Sequence, residues 1–390
     1  MGDVKSIAVL GSTGSVGRQT LEVAGDLGIN VLAISFGQNI AEAKRQIGRF
    51  RPKLACAADP AHAKELSGFC NETVVTSGAE GLAMAAAMDG VDTVVNALAG
   101  GVGLLPTISA VRAGKDVAIA NKESLVTSGE LITREAKENG VSLFPIDSEH
   151  SAVYQCLQTD ENRRALKRII LTASGGPFRG RKRSELENIS PADALRHPTW
   201  SMGRKISVDS ATLMNKGLEL IEAKWLFGTD VSRIQVLIHP QSVIHSMVEF
   251  EDGCVMAQLG APDMRLPIQY ALAGPERLLN SYGRLDFKKL SDLTFEEPDT
   301  DSFPCLALAF AAAKAGGLIP AVMNAANESA VNAFLDGRLP FHKIPDVIEK
   351  VMYSDSMPQS FRLNGVYTVS DALEAGSFAC DEAERHIGRF

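Results

Sequence analysis

No run of apolar residues in this chain of 390 residues is long enough to cross a bilayer. The longest candidate, Cys305 to Ala313, stops at Lys314, far short of the roughly 20 residues that a spanning helix needs. It reads as a buried helix. Neither a charged region ahead of an apolar one nor an Arg- and Ser-rich stretch precedes the first strand, so no export or transit signal is expected. Cysteine is scarce: six residues, at positions 56, 70, 156, 254, 305 and 380, have neither metal-site spacing nor the density of a disulfide scaffold. A reducing, cytoplasmic setting fits. Positive charge is in deficit, the formal net charge being -8, which argues against a general nucleic-acid binder. The one basic region, Arg163 to Arg183, reads as a solvated face or as a source of positive field near an anionic ligand. Internal repeats and low-complexity tracts are also missing. What is left, 45% apolar, is an ordinary globular composition with length for two or three domains.

Ser6 to Leu10 form a short apolar strand that runs into Gly11-Ser-Thr-Gly-Ser-Val-Gly17 and then the helical pattern Arg18 to Ala24. Strand, glycine turn and helix open a dinucleotide-binding fold, because glycines let the backbone approach a pyrophosphate while the first helical N–H groups supply donors. The next strand, Val31 to Phe36, ends in Gly37-Gln38-Asn39, where an NAD protein places a carboxylate on the ribose 2′-hydroxyl. Its absence favours NADP, with Gln38, Asn39 and Arg51 as nearby donors. Further strands at 54–57, 73–76, 93–97 and 116–120 alternate with helical stretches, which predicts a doubly wound, Rossmann-type parallel sheet. Ligands bind beyond the carboxyl ends of such strands, so Asn121, Lys122 and Glu123 either face the crevice or simply begin the next helix.

After the apolar run 141–146 comes Asp147-Ser148-Glu149. Read as extended, this segment points both carboxylates the same way. Two carboxylates held so close call for a proton or a hard cation such as Mg²⁺ or Mn²⁺; a solvated strand end is the plainer alternative. Near residue 150 the regular alternation stops. Ala173-Ser174-Gly-Gly-Pro-Phe178 is either an irregular loop suited to an oxyanion or a simple turn. His197-Pro-Thr-Trp-Ser-Met-Gly203 reads as a mobile lid carrying Trp200 and Met202, or equally as a packed core loop. Ser210 is placed to cap a helix from Ala211 to Phe227, on which Asn215, Lys216 and Glu219 share a face. Alone, Lys216 and Glu219 would be a surface ion pair. His239 and His245 read as structural or interfacial, with no third soft ligand near them. The expected organisation is a nucleotide-binding domain at 1–147, a central α+β catalytic domain with the lid at 148–273, a linker at 274–300 and a C-terminal helical bundle at 301–390.

In this order and spacing, Gly11–Gly17, Asn121-Lys-Glu-Ser124, Asp147-Ser-Glu-His150, Ser174–Phe178, His197–Gly203, Asn215-Lys-Gly-Leu-Glu219 and His239–His245 closely resemble the 1-deoxy-D-xylulose 5-phosphate reductoisomerases, essentially from end to end. The resemblance implies an NADPH- and divalent-metal-dependent homodimer that acts on a phosphorylated ketose, with no nucleic-acid or membrane partner. Its product would be 2-C-methyl-D-erythritol 4-phosphate, for isoprenoid synthesis. By position, Asp147, Glu149 and Glu219 would hold Mg²⁺ or Mn²⁺, with Co²⁺ a further candidate, and with Lys122 they form the implied catalytic set. Ser174, His197, Ser210, Asn215 and Lys216 are the implied substrate and phosphate contacts. Ser148, Glu149 and Lys122 lie near the sugar oxygens and Trp200 over them. Thr13, Gly14, Ser15, Val16, Gly37, Gln38, Asn39, Asn121, Glu123 and Gly203 would meet NADPH, although many relatives carry Lys where this chain has Gln38. A simple NADP dehydrogenase would not need three converging carboxylates, and a nucleotide-sensing regulator could lose both them and the lid.

Overall fold

The computed structural model describes residues 4–69, 72–198, 200, 202–274, 276–290, 292–363 and 365–389. The chain packs as two compact units. One comprises Met1–Ser124, Ile132–Ser151 and Asp263–Tyr282; the other comprises Leu125–Leu131, Ala152–Pro262 and Gly283–Phe390.

The first unit is built on seven parallel strands: β1 (Ser6–Leu10), β2 (Asn30–Phe36), β3 (Leu54–Ala57), β4 (Val74–Ser77), β5 (Thr93–Asn96), β6 (Asp116–Ile119) and β7 (Leu143–Pro145), in the order β4-β3-β2-β1-β5-β6-β7. Helices cover the sheet, which is why its central strands read as unbroken apolar runs rather than alternating ones. Ile7, Ala8, Val9 and Leu10 have no exposed surface at all. The strand order reverses between β1 and β5, so the crevice expected of a doubly wound sheet opens beyond Leu10 and Asn96. Helices α1 (Ser15–Leu27) and α2 (Ile40–Phe50) follow β1 and β2. The later helix Arg265–Ala273 returns to pack on α1, where Arg265 pairs with Glu22 at 2.7 Å and Tyr282 donates to Asp26 at 2.9 Å. The packing units therefore cut across the sequence segments. Residues 263–282 go with the nucleotide-type sheet because their contacts lie there, not where the chain order puts them.

The second unit holds four strands, β8 (Leu166–Ala173), β9 (Ile234–Ile238), β10 (Ile244–Phe250) and β11 (Val255–Leu259), ordered β11-β10-β8-β9. β8 and β9 run parallel and the other pairs antiparallel. Helix Met214–Leu226 packs on β8, on β9 and on helix Cys305–Ala315, with Met214, Leu218 and Ile221 buried. Helices Cys305–Ala315, Ile319–Leu335, Ile344–Met352 and Val369–Ile387 form the expected bundle, with Ile319–Leu335 at its centre. Between 283 and 300 the chain does not hang free: Ile238 and Glu296 exchange backbone hydrogen bonds at 2.8 and 2.9 Å. His239 has the structural role expected of it, with Nδ1 at 2.9 Å from Thr294 O and Nε2 accepting from the N–H groups of Val243 and Ile244. Among the described residues no helix is long and apolar enough to cross a membrane.

Candidate active site

In the seven-stranded unit the site begins where β1 stops. The N–H groups of Gly11 and Ser12 donate to Ser35 O at 3.1 and 2.8 Å, which ties the glycine turn to the end of β2. A Cβ on Gly17 would lie 2.2 Å from Gly11 O and 2.6 Å from Ser12 Cα, so only glycine lets α1 close down on the turn. No side chain caps α1, and its leading N–H groups are left for a ligand at the crevice. Gly14 and Ser15 are exposed there and Thr13 and Val16 half-buried. At the end of β2, Gly37 is half-buried and Gln38 exposed, while Asn39 caps α2 by accepting from Glu42 N at 3.1 Å.

Asn121 is buried and fully engaged. Its Oδ1 accepts from Ser124 N at 3.0 Å, and its Nδ2 donates to Leu98 O, Gly100 O and Glu123 Oε2 at 2.9–3.0 Å. It fixes the loop after β5 and starts helix Lys122–Glu138. Lys122, 6% exposed, is ion-paired through Nζ with Asp147. The extended reading of Asp147 to Glu149 is corrected here. Helix Ser148–Cys156 begins at once, and the Asp147 carboxylate accepts from the N–H groups of Glu149 and His150 at 3.2 and 3.5 Å. A carboxylate satisfying free N–H groups at a helix start, with a second acid in the first turn, is favoured over continued strand. Ser148 and Glu149 therefore wind rather than alternate, and the Ser148 hydroxyl donates to Glu149.

The four-stranded unit assembles a second group. Ser174 follows β8; its Oγ accepts from Gly176 N at 3.2 Å and lies 3.0 Å from His197 Nε2. Because His197 Nδ1 accepts the Trp200 N–H at 2.9 Å, the neutral ring carries its proton on Nε2 and donates to Ser174. Gly176 has φ +69°, and a Cβ there would sit 2.6 Å from the Ser210 backbone oxygen, so the loop after Ser174 touches the helix at Ser210. Trp200 is half-buried, its ring 6.2 Å from that of His245. Thr199 and Ser201 of the expected lid lie outside the described residues. Gly203 precedes helix Arg204–Ala211 as its N-cap.

Ser210 does not cap the next helix. It lies inside Arg204–Ala211, and Met214–Leu226 starts after Leu213 turns left-handed at φ 62°. Thr212 takes over, its Oγ1 accepting from Met214 N at 3.3 Å. The break carries neither glycine nor proline, so the apolar period runs through it unmarked. Nor are Lys216 and Glu219 a surface pair. They are 3% and 1% exposed and ion-paired to each other, and Asn215 Nδ2 donates to Glu219 Oε1 at 2.6 Å. Asn215 Oδ1 is buried with no hydrogen-bond partner among the described residues. A buried ion pair adds little net stability over an apolar pair, so its presence points to use rather than to folding.

Sequence reasoning missed the support beneath this group. Buried Asp209 pairs with Lys205 at 3.0 Å and accepts Asn327 Nδ2 at 2.8 Å, across 118 residues of chain. Such a distant partner leaves no local signal. Gln46 was missed likewise: buried on α2, it donates Nε2 to Ser12 O at 2.9 Å and braces the glycine turn.

Family comparisons agree along the length of the chain. The sequence profile of 1-deoxy-D-xylulose 5-phosphate reductoisomerase matches residues 7–129. The profile of that family's C-terminal domain matches 143–227, and a further DXP reductoisomerase C-terminal domain profile matches 259–375. The 1-deoxy-D-xylulose 5-phosphate reductoisomerase of Ruminiclostridium cellulolyticum is 51% identical, covering 98% of this chain and 99% of its own. That of Chlorobaculum tepidum is 49% identical over 99% and 100%. Among solved structures, a DOX-P reductoisomerase in complex with NADPH, fosmidomycin and magnesium superposes with a TM-score of 0.93 at 39% identity, covering 99% of this chain and 98% of its own. The Zymomonas mobilis enzyme in complex with NADPH gives 0.89 at 42% identity, over 99% of each chain. Sequence and fold thus agree that the chain belongs to the 1-deoxy-D-xylulose 5-phosphate reductoisomerase family.

Proposed function

We infer that Asp147, Glu149 and Glu219 form one oxygen donor set for a divalent cation, and that this set, with Lys122, carries the reaction of the family. That reaction is the NADPH- and metal-dependent conversion of 1-deoxy-D-xylulose 5-phosphate to 2-C-methyl-D-erythritol 4-phosphate. The observation that carries the reading is the buried Asn215–Glu219–Lys216 cluster, where a carboxylate and an amide oxygen without a partner among the described residues are kept out of water at the cost of burying charge. Hard oxygen donors of this kind suit Mg²⁺ or Mn²⁺, and solved relatives contain magnesium. The glycine turn, with no room for a Cβ at Gly17, suits the pyrophosphate of NADPH.

When bound, the cation supplies Lewis-acid polarisation of the ketose carbonyl and the nicotinamide supplies hydride. Lys122 Nζ, oriented by Asp147, donates to a sugar oxygen, and the Ser148 hydroxyl orients a neighbouring one. Ser174, His197, Ser210, Asn215 and Lys216 bind the phosphate, His197 donating from Nε2. Asn121, Glu123 and Gly203 shape the nicotinamide end, Thr13, Gly14, Ser15 and Val16 the pyrophosphate, and Gly37, Gln38 and Asn39 the adenosine end. Trp200, on the loop 197–203, closes over the sugar and excludes water.

The protein acts in the cytoplasm as a homodimer. Supporting the dimer is β11, an edge strand with Val255 and Met256 50% and 43% exposed, a surface that another copy would cover. In function the chain divides into nucleotide binding at 1–147, from which Lys122 and Asp147 also serve the substrate and metal, metal and substrate binding at 148–273, a connection at 274–300 and helical support at 301–390. The test is product identity. Protein, 1-deoxy-D-xylulose 5-phosphate, NADPH and Mg²⁺ should yield 2-C-methyl-D-erythritol 4-phosphate by mass spectrometry; NADPH oxidation that leaves only the unrearranged reduced sugar would make the chain a plain dehydrogenase.

A further inference from the structure

A groove of about 450 Å³ lies between α1 and α2, with Ser15 and Arg18 on one wall and Glu42, Arg45, Gln46 and Arg49 on the other. Its head is fastened to the glycine turn, because Gln46 Nε2 donates both to Ser12 O and to Glu42 Oε1, each at 2.9 Å. The local charges look wrong for a cofactor with a ribose 2′-phosphate. Gln38, at the end of β2, carries no charge, and Glu42, in the first turn of α2, carries a negative one.

The side-chain contacts resolve this. Arg45 grips both Glu42 oxygens, through Nε at 2.8 Å and Nη2 at 2.6 Å. That grip holds the Glu42 carboxyl below the usual carboxylate range against the opposing effect of burial, with smaller contributions from Gln46 and from the charge of Arg18. Arg18 itself is exposed in the first turns of α1 and has no ion-pair partner among the described residues. Around the groove three guanidinium groups, Arg18, Arg45 and Arg49, stand against two carboxylates, Glu42 and Glu22, the latter already paired with Arg265 at 2.7 Å, and the charge left over is positive. A guanidinium offers paired donors to phosphate oxygens, and an arginine near the ribose is how dinucleotide-binding sheets accommodate a 2′-phosphate.

We propose that Arg18 is the residue by which this chain recognises the 2′-phosphate of its dinucleotide, and that the Arg45–Glu42–Gln46 cluster frames it by keeping Glu42 from repelling that group. The proposal rests on the NADPH reading above and locates its specificity at the groove rather than at Gln38.

The test is direct binding, by isothermal titration of the purified protein with NADPH and with NADH in the absence of sugar. The wild type should bind NADPH more tightly. Arg18→Ala should weaken NADPH binding about tenfold or more, the scale of a lost charge-assisted hydrogen bond, and leave NADH binding within about twofold. It should also flatten the salt dependence of NADPH affinity. Because Arg18 is exposed, the melting temperature should not move. Arg45→Ala, which leaves the Glu42 charge uncompensated, should weaken NADPH binding and not NADH binding; no change there overturns the framing role of the cluster. If the wild type prefers NADPH and Arg18→Ala keeps that preference, or loses both cofactors equally, the assignment of Arg18 fails alone. A wild type without preference overturns the NADPH reading and this inference together.

Discussion

The two units present their functional groups in opposite ways. Beyond β1 the nucleotide half is made of main chain: a turn tied to Ser35, a helix start without a side-chain cap and a Gly17 with no space for a Cβ. Beside β8 the second group is made of side chains: Ser174 on His197, and Asn215 and Lys216 on a buried Glu219. Arg18 apart, a site of main chain tolerates changes of charge and is broken by a methyl group. A site of buried charges tolerates changes of shape at its rim and is broken by loss of one charge. Substitutions that separate volume from charge should therefore divide the two halves.

The largest effect is expected at Glu219→Gln, which keeps the shape and removes the charge that pairs with buried Lys216. Breaking a buried pair costs about 3–5 kcal/mol, and the retained amide puts this change near the lower figure. Denaturant unfolding should show that loss, Mn²⁺ titration should show weakened binding, and NADPH affinity should stay put. Full activity of this variant in chelator would end the metal assignment.

Gly17→Ala is the converse. A methyl group placed against Gly11 O should cost roughly 1–3 kcal/mol by overpacking and at least about tenfold in NADPH affinity, without touching Mn²⁺ binding. An alanine variant with normal NADPH affinity would show that the turn is not the pyrophosphate seat.

Trp200→Ala sharpens the boundary of the side-chain half. Half-buried, and joined to His197 through its backbone N–H rather than its ring, Trp200 should act as a cover. KM should rise and kcat fall while the melting temperature barely moves. A loss of stability near 3–5 kcal/mol, the usual scale for deleting a buried Trp side chain, would make it core instead.

The smallest effect should come from Asp92, at the other end of the sheet from the glycine turn. Burial pushes its carboxyl up, but the N–H groups of Lys5 and Ser6 and the Ser6 hydroxyl outweigh that and hold it below the ordinary Asp value. A depressed folded pKa means stability that is present above the unfolded value near ~3.9 and lost as pH falls through the folded one. Asp92→Asn should flatten that acid limb by under about 1 kcal/mol, since the group is exposed and screened, and should change no ligand affinity.

The same contrast explains what the sequence could say. The main-chain half was legible because strand, glycine turn and helix are a local pattern, and the seven-stranded parallel sheet follows from it. The side-chain half was legible only as candidates. Lys216 and Glu219 lie three apart on any helix, and nothing local distinguishes a buried pair from a solvated one. Two local readings failed where a helix start competed with another pattern. The Asp147 carboxylate turned an expected strand end into a helix, and the left-handed Leu213 split an expected single helix in two. Asp209 with Asn327, and Gln46 with Ser12, join distant segments through one hydrogen bond each and leave no trace in either segment alone.

Turnover should need both the main-chain dinucleotide site and the proposed carboxylate metal site. The direct measurement follows NADPH oxidation with 1-deoxy-D-xylulose 5-phosphate, with NADPH affinity determined alongside, before chelator, in chelator and after Mg²⁺ is restored. Oxidation should stop in chelator and return with Mg²⁺ while NADPH affinity stays within about twofold throughout, because no carboxylate ligand belongs to the glycine turn. Oxidation that continues unchanged in chelator, or NADPH binding that disappears with the metal, would contradict the account.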